Sequence, residues 1–361
     1  MATINVSNLT LNAQETQEFS KMIVEHTFAA PELSSLNNVI PGIKMKEQIT
    51  FASQFGKMGV KADGACGRVT SNGSTILTQK FWDPANIEET IEICQADVSG
   101  LFKSYYSKIQ NYKQRYEIEG SDEAVFLSLM TENAIKSTID RAVWLADKDV
   151  AVATSGVSGL AVASSGETVH YDYFDGIWAQ VFDAVGTGST DVQRYTIVEN
   201  TGTTATAQGL AAGRGKTILE GVLKNADSRL RGDAEKQFYV SRSVFDSYVD
   251  SLIAAGENST IEYTLNGLQT VKYKGIPVVN METIWDANLV DFVNNTVNNA
   301  PYLSNRAILS TPSNLPVGTL DEADFAEIET WYDQTTKKNY LAFAFNLDSK
   351  MLENYMISVA Y

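Results

Sequence analysis

Two strand-like segments, IKMKEQITFASQF from Ile43 and STILTQKFWD around residues 74–83, enclose GKMGVKADGACGRVTSN, a stretch with glycines at 56, 59, 64 and 67. Ile49, Phe51 and Phe55 alternate with polar or small residues, the period of a strand, so the two segments are expected to pair as a long hairpin. Its outer part is too rich in glycine and too poor in apolar residues to pack on itself. A two-stranded ribbon is marginal in water, so this one has to dock on something else. Its charge points the same way. From Ile43 to Lys80 there are six basic residues (Lys44, Lys46, Lys57, Lys61, Arg68, Lys80) against Glu47 and Asp63, a net of +4 in a chain of net charge −16. From Val317 onward eight acidic residues (Asp321, Glu322, Asp324, Glu327, Glu329, Asp333, Asp348, Glu353) stand against Lys337, Lys338 and Lys350, a net of −5. A basic ribbon and an acidic C-terminal segment in one chain suit head-to-tail association between copies; the alternative is an ordinary uneven surface.

The rest of the composition excludes more than it proposes. A chain of 361 residues can bury a substantial core without metals or disulfides. Cys66 and Cys94 have no histidine near them in sequence and give neither a zinc pattern nor a disulfide framework. No run of eighteen apolar residues occurs and the N-terminus lacks a basic region followed by an apolar one, so a soluble protein without a standard export signal is expected, with no membrane partner. The acidic total argues against tight binding of nucleic acid through a basic face.

GLAAGRGKT, residues 209–217, resembles a phosphate-binding loop, but that loop requires G-x-x-x-x-G-K-[ST]. Counting back from Gly215 places Leu210 at the first glycine position, and the residues before it, NTGTTATAQ, are not a buried strand. A nucleotide-binding enzyme is thus a minor alternative. The other reading is an amphipathic helix, TILEGVLKNAD, whose preceding loop needs glycine for its turn. His26 and His170 lie in no catalytic spacing, and Glu327 and Glu329, two apart on a strand-like segment, read as a solvated or interface face rather than an acid/base pair. No catalytic residue, metal or cofactor is expected, and the chain is not read as an enzyme.

Along the chain, residues 1 to about 40 read as an extended arm with one short helix around Glu15 to Val24. Residues 98–116 look helical. GSDEAVFLSLMTENAIKSTIDRAVWLAD is the strongest helix signal, with Ser121 as N-cap, Asp122 and Glu123 in the first turn, and Leu127, Met130, Ala134, Thr138 and Ala142 on one apolar or small face. From Asp122 to Ala146 it would span ~37 Å as a structural spine. Residues 151–168 read as a loop or crossing segment. Helices at DYFDGIWAQVFDAV, from Lys216 and at SVFDSYVDSLIAAG then interleave with strands near RYTIVE and at FYVS. IEYTLNGLQTVKYKGIPVVN reads as a hairpin turning at Asn266–Gly267. FAEIETWYDQ, NYLAFAFNLD and ENYMISVAY close the chain as three strands of an antiparallel sheet. Leu341, Phe343, Phe345 and Leu347 on one of its faces are expected to bury against the spine helix.

Arm, two-stranded loop, spine helix, mixed central domain and returning strands form an order that resembles the major capsid proteins of tailed bacteriophages, the Hong Kong 97-type fold. The resemblance is carried most closely by FWDPANIEETIEICQADVSGLF, FYVSRSVFDSYVDSL, LNGLQTVKYKGIPVVNMETIWD and NLPVGTLDEADFAEIETWYDQ. It implies an α+β fold with an N-arm over 1–42, an E-loop over 43–83, a P-domain over 84–150 completed by 318–361, and an A-domain over 151–317. It also implies homo-hexamers and homo-pentamers that close into an icosahedral shell around double-stranded DNA bound without sequence specificity. The partners would be portal and scaffolding proteins, with decoration proteins as a further class, and the location would be the virion after synthesis in the host cytoplasm. The resemblance places Lys57, Lys61 and Arg68 in E-loop contacts between subunits and Arg214 and Lys216 in an A-domain loop at the capsomer axis. No acceptor motif accompanies Lys57 and Lys61, so the cross-link known in some members is not carried over. An encapsulin shell, which shares the fold, is the nearest alternative.

Overall fold

The structure, a computed structural model, describes residues 35–52, 77–93, 134–152, 160–162, 164–189, 191–256, 261–263, 269–295, 300–319, 327–333 and 338–361. In chain order its strands begin with β1 (Val39–Ile40), β2 (Gln48–Ala52), β3 (Leu77–Phe81), β4 (Ala85–Ile93), β5 (Ala151–Val152) and β6 (Ala161–Val162). Then come β7 (Gln193–Tyr195), β8 (Gln237–Val240), β9 (Ile261–Tyr263), β10 (Gln269–Tyr273), β11 (Ile276–Asn280), β12 (Val293–Asn295) and β13 (Ala300–Pro301). The last are β14 (Ala307–Ser310), β15 (Val317–Thr319), β16 (Glu327–Asp333), β17 (Lys338–Ser349) and β18 (Ile357–Ala360). The α-helices are α1 (134–145), α2 (Ile177–Gly186), α3 (Arg214–Asn225), α4 (Ser228–Gly232) and α5 (Arg242–Ala254).

Two sheets organise these elements. The larger has seven strands in the order β7-β18-β14-β8-β11-β10-β9. Its central strands QFYV, AILS and ISVA are apolar at nearly every position because both faces are covered. Phe238, Val240, Ala307 and Leu309 point to one side, into a core with Ile218, Leu219 and Val222 of α3 and Val244 and Tyr248 of α5. Tyr239, Ile308 and Val359 point to the other side, where they meet Trp178 and Val181 of α2 and Ile139, Val143 and Trp144 of α1. Each such large apolar side chain, once fully buried, contributes about 1.5–3 kcal/mol.

The smaller sheet is built around β17. One edge of this strand pairs with β4 over nine residues, Ala85↔Leu347 to Ile93↔Asn339. Its other edge takes β15 (Val317↔Ser349) and then β16 (Glu327↔Ala344 to Asp333↔Lys338). Phe343, Phe345 and Leu347 are buried in the same core as Ile135, Ile139 and Ala142, so α1 and the returning strand bury their apolar faces together as expected. The face of α1 differs by one position: Ala134 is exposed and Ile135, Thr138, Ile139 and Ala142 form the buried stripe. That i, i+3, i+4, i+7 set is the better helical repeat, and it puts the larger side chains inside. Ser121 and residues 122–133 lie outside the described residues, as do the helices expected at 15–24 and 98–116.

Two strand assignments change. The third closing strand, β18, does not join β16 and β17; it pairs antiparallel with β14 and parallel with β7 in the seven-stranded sheet. Its residues are buried on both faces, a position that only the centre of a doubly covered sheet provides. The segment 261–280 holds three strands rather than a single hairpin. β10 pairs with β9 and, through a tight turn at Lys274 (φ 50°) and Gly275 (φ 82°), with β11. Asn266–Gly267 lies outside the described residues.

Candidate subunit interface

β2 and β3 pair antiparallel from Gln48↔Phe81 to Ala52↔Leu77 and form a sheet of their own. Among the described residues no other strand pairs with them. The root, in contrast, is held firmly. Trp82, 3% exposed, donates its N–H to the Glu47 carbonyl (3.0 Å) and accepts from the Lys46 N–H (2.8 Å). Its ring and the Ile43 side chain close on Gly318 of β15, where an added Cβ would lie 2.8 Å from Trp82 and 2.7 Å from Ile43. Any side chain at 318 would push the ribbon off the body. Lys57, Lys61 and Arg68 lie outside the described residues.

The smaller sheet supplies a second surface. Its inner face carries Ile87, Phe343 and Phe345. The register sets Glu88 of β4 across Ala344 from Glu327 of β16, and Thr90 across Ala342 from Glu329. Glu88 and Thr90 are exposed and the two alanines half-buried. Glu88 was not singled out from sequence, because only the register with β17 sets it across from Glu327.

The third feature is the loop before α3. Gly213 occupies the left-handed region (φ +81°) and α3 begins at Arg214, as the helical reading of TILEGVLKNAD requires. A 3₁₀ turn at Val198–Thr201 and then bends, turns and irregular backbone lead into α3, with no strand directly before the glycines. The backbone groups that would cradle a phosphate are already engaged: the Gly215 N–H donates to Ser247 Oγ of α5 (2.9 Å), the Gly213 N–H to the Ser247 carbonyl (3.3 Å) and the Arg214 N–H to the Ala211 carbonyl (3.1 Å). Such a loop is a helix-packing joint and leaves no anion nest. Arg214 forms a bidentate pair with Glu199, Nε to Oε1 at 2.6 Å and Nη2 to Oε2 at 3.2 Å. The guanidinium hydrogen bond holds the Glu199 carboxyl below its ordinary range. Arg214 therefore brings little free charge to an axial basic cluster, whereas Lys216 is exposed on the first turn of α3.

Beneath the loop lies a buried polar network that no sequence pattern announced. Asn200 Oδ1 accepts from the N–H and the Nδ2 of Asn305 (3.0 Å each), and Asn200 Nδ2 donates to the Asn305 carbonyl (2.7 Å). Asn305 Nδ2 also donates to the Gln208 carbonyl (2.8 Å), and Ser243 Oγ donates to Asn305 Oδ1 (2.6 Å). Fully paired networks of this kind fix one loop geometry. His170 is exposed on a short 3₁₀ turn, while His26, Cys66 and Cys94 lie outside the described residues. Among the described residues no cluster of histidine, cysteine or carboxylate side chains could hold a metal ion, and no helix is long and apolar enough to cross a membrane.

No family model and no curated protein matches the chain. Among solved structures it is similar to one of the satellite phage P4 procapsid including its size determination protein, at 10% identity over 94% of this chain and 98% of that one, with a TM-score of 0.47. It is similar also to the cyanophage A-1(L) capsid asymmetric unit, at 13% identity over 91% of this chain and 92% of that one, with a TM-score of 0.48. A holo encapsulin complex from Synechococcus elongatus is a third, at 8% identity over 91% and 86%, with a TM-score of 0.47.

Proposed function

We propose that the chain is the major shell subunit of a tailed-phage head: copies assemble into hexamers and pentamers that close an icosahedral capsid around double-stranded DNA. The observation that carries this reading is the ribbon, rooted tightly through Trp82, Ile43 and Gly318 yet paired with no other strand of the described residues. A rooted ribbon that joins no larger sheet among the described residues is wasteful in a monomer and useful in a lattice, where the next copy supplies a surface for it. The β4–β17–β16 sheet, whose outer strands are rich in acidic residues, is the partner we assign to it, since the segment 43–80 is basic and the chain as a whole acidic. The loop at 209–213, stiffened by the Asn200–Asn305 network, would face the capsomer axis. A net charge of −16 suits a container that must not stick to its contents. Portal, scaffolding and decoration proteins would be its other partners.

Electron microscopy of the protein expressed with its neighbouring genes tests the proposal. Closed particles holding nuclease-resistant DNA are expected. Small shells filled with a cargo protein would move the reading to an encapsulin, and a dispersed monomer throughout would overturn it. Reversing Lys57, Lys61 and Arg68 to glutamate should lower the yield of closed particles several-fold at low salt and less so at high salt, where screening shortens the reach of surface charge to a few Å. A yield independent of salt in both proteins would detach the ribbon's charge from assembly.

A further inference from the structure

Lys80 sits in β3, where the ribbon meets the body. Its Nζ donates to the Met351 carbonyl and to Asn354 Oδ1 (3.5 Å), both neutral oxygens of the segment after β17. A second cation stands beside it. Lys350 pairs with Asp348 Oδ2 at 3.0 Å, and the same oxygen accepts the Asp83 N–H at 2.8 Å. Asp348 is fully buried at the end of β17. Lys350 thus has a carboxylate partner, whereas Lys80 is held by neutral oxygens alone. The cleft beside them, about 1190 Å³, offers Lys80 no ion pair among the described residues: across it Lys148 takes Asp175 (2.8 Å), Arg194 stacks on Tyr361, and Asp147, Asp149 and Asp183 complete its charged lining.

We propose that the ribbon root is a charge-gated hinge, in which the Lys80 ammonium, docked on neutral oxygens beside Lys350, is the contact that releases first. The remaining root contacts favour this division of labour. Trp82 and Ile43 pack on Gly318 and the backbone bonds of Lys46 and Trp82 are neutral, so they form the pivot. Lys80 lies farther out along β3 and fixes the angle at which the strand leaves. Burial first, and then the Lys350 charge, push its pKa down from 10.5 to about 8. Released into water, the amine returns to its ordinary value. The docked state therefore binds fewer protons, so docking strengthens as pH rises above about 8 and is weakest when pH falls below it. At neutral pH the root is held under electrostatic tension. The hinge is a property of the single subunit and stands or falls separately from the shell reading.

Amide hydrogen exchange on the unassembled subunit tests it, with Leu77–Trp82 followed from pH 7 to pH 9 and normalised to the core strand β8. The two pKa values predict that root protection rises about tenfold over that range. Lys80→Met should be protected at pH 7 at least as well as the parent at pH 9 and show no slope. Lys80→Arg, charged throughout, should stay weakly protected at both. Should Lys80→Met disturb folding, the β8 amides would reveal it, and Lys80→Gln would replace it in the same comparison. A parent protein with no pH slope at the root, or a neutral variant that keeps the slope, would overturn the hinge.

Discussion

Deleting Gly56–Asn72 should leave a folded subunit that builds no closed shells. The argument starts from where the ribbon is attached. The two strands are held at the base by Trp82, Ile43 and Lys80, and the pairs Gln48↔Phe81 to Ala52↔Leu77 remain after the deletion. Ser53, Gln54, Phe55, Gly73, Ser74, Thr75 and Ile76 then join β2 to β3, seven residues, which lies within the ordinary range of loop lengths. Among the described residues the buried apolar sets lie in the two sheets and their helices, and the deleted stretch is poor in large apolar side chains. Thermal melting of the variant should therefore fall within about 1 kcal/mol of the parent, the usual effect of changing a surface segment. Assembly should fall to background by sedimentation and microscopy, because an interface contact made once per subunit is lost in every copy of the lattice at the same time. Closed shells of normal size from this variant would refute the assignment of the ribbon to contacts between copies. Loss of the folded subunit would instead mean that the ribbon belongs to the core of its own chain.

How much of this was legible in the sequence depends on how local each interaction is. The ribbon's strands, α2, α3, α5 and the alternation in β17 follow from periods of two and 3.6 that a single segment displays. That β17 would share a core with α1 was legible because each has one apolar face and only one place to bury it. The position of β18 was not, since ISVA reads as a strand but carries no mark of which sheet it will enter. A two-residue turn at Lys274–Gly275 was missed because Asn266–Gly267, the stronger turn signal, stood nearby. The Asn200–Asn305 network joins residues more than a hundred positions apart, and buried amides look like loop residues until the fold pairs them. Glu199 was invisible as the partner of Arg214 for the same reason.

Gly215 should prove far less tolerant of substitution than Lys216, the reverse of what a nucleotide-binding loop requires. α3 and α5 cross where Gly215 meets residues 244–248, and a Cβ there would lie 2.4 Å from the Val244 carbonyl oxygen and 2.7 Å from the Tyr248 amide nitrogen. Both obstacles are helix backbone, so no rotamer change relieves the clash; the helices must part, opening the core formed by Ile218, Val222, Val244 and Tyr248. Overpacking of this kind costs about 3 kcal/mol or more for alanine. For a chain of 361 residues that corresponds to a drop in Tm of about 4 °C or more. Gly215→Val should not accumulate as folded protein. The Gly215 N–H would also be drawn away from Ser247 Oγ, adding an unpaired buried donor to the loss. Lys216→Ala, at an exposed position on the first turn, should stay within about 0.5 kcal/mol of the parent. Were Gly215→Ala as stable as the parent, the close crossing of the two helices would be wrong. Were Lys216→Ala the damaging change, GLAAGRGKT would again have to be read as a ligand site.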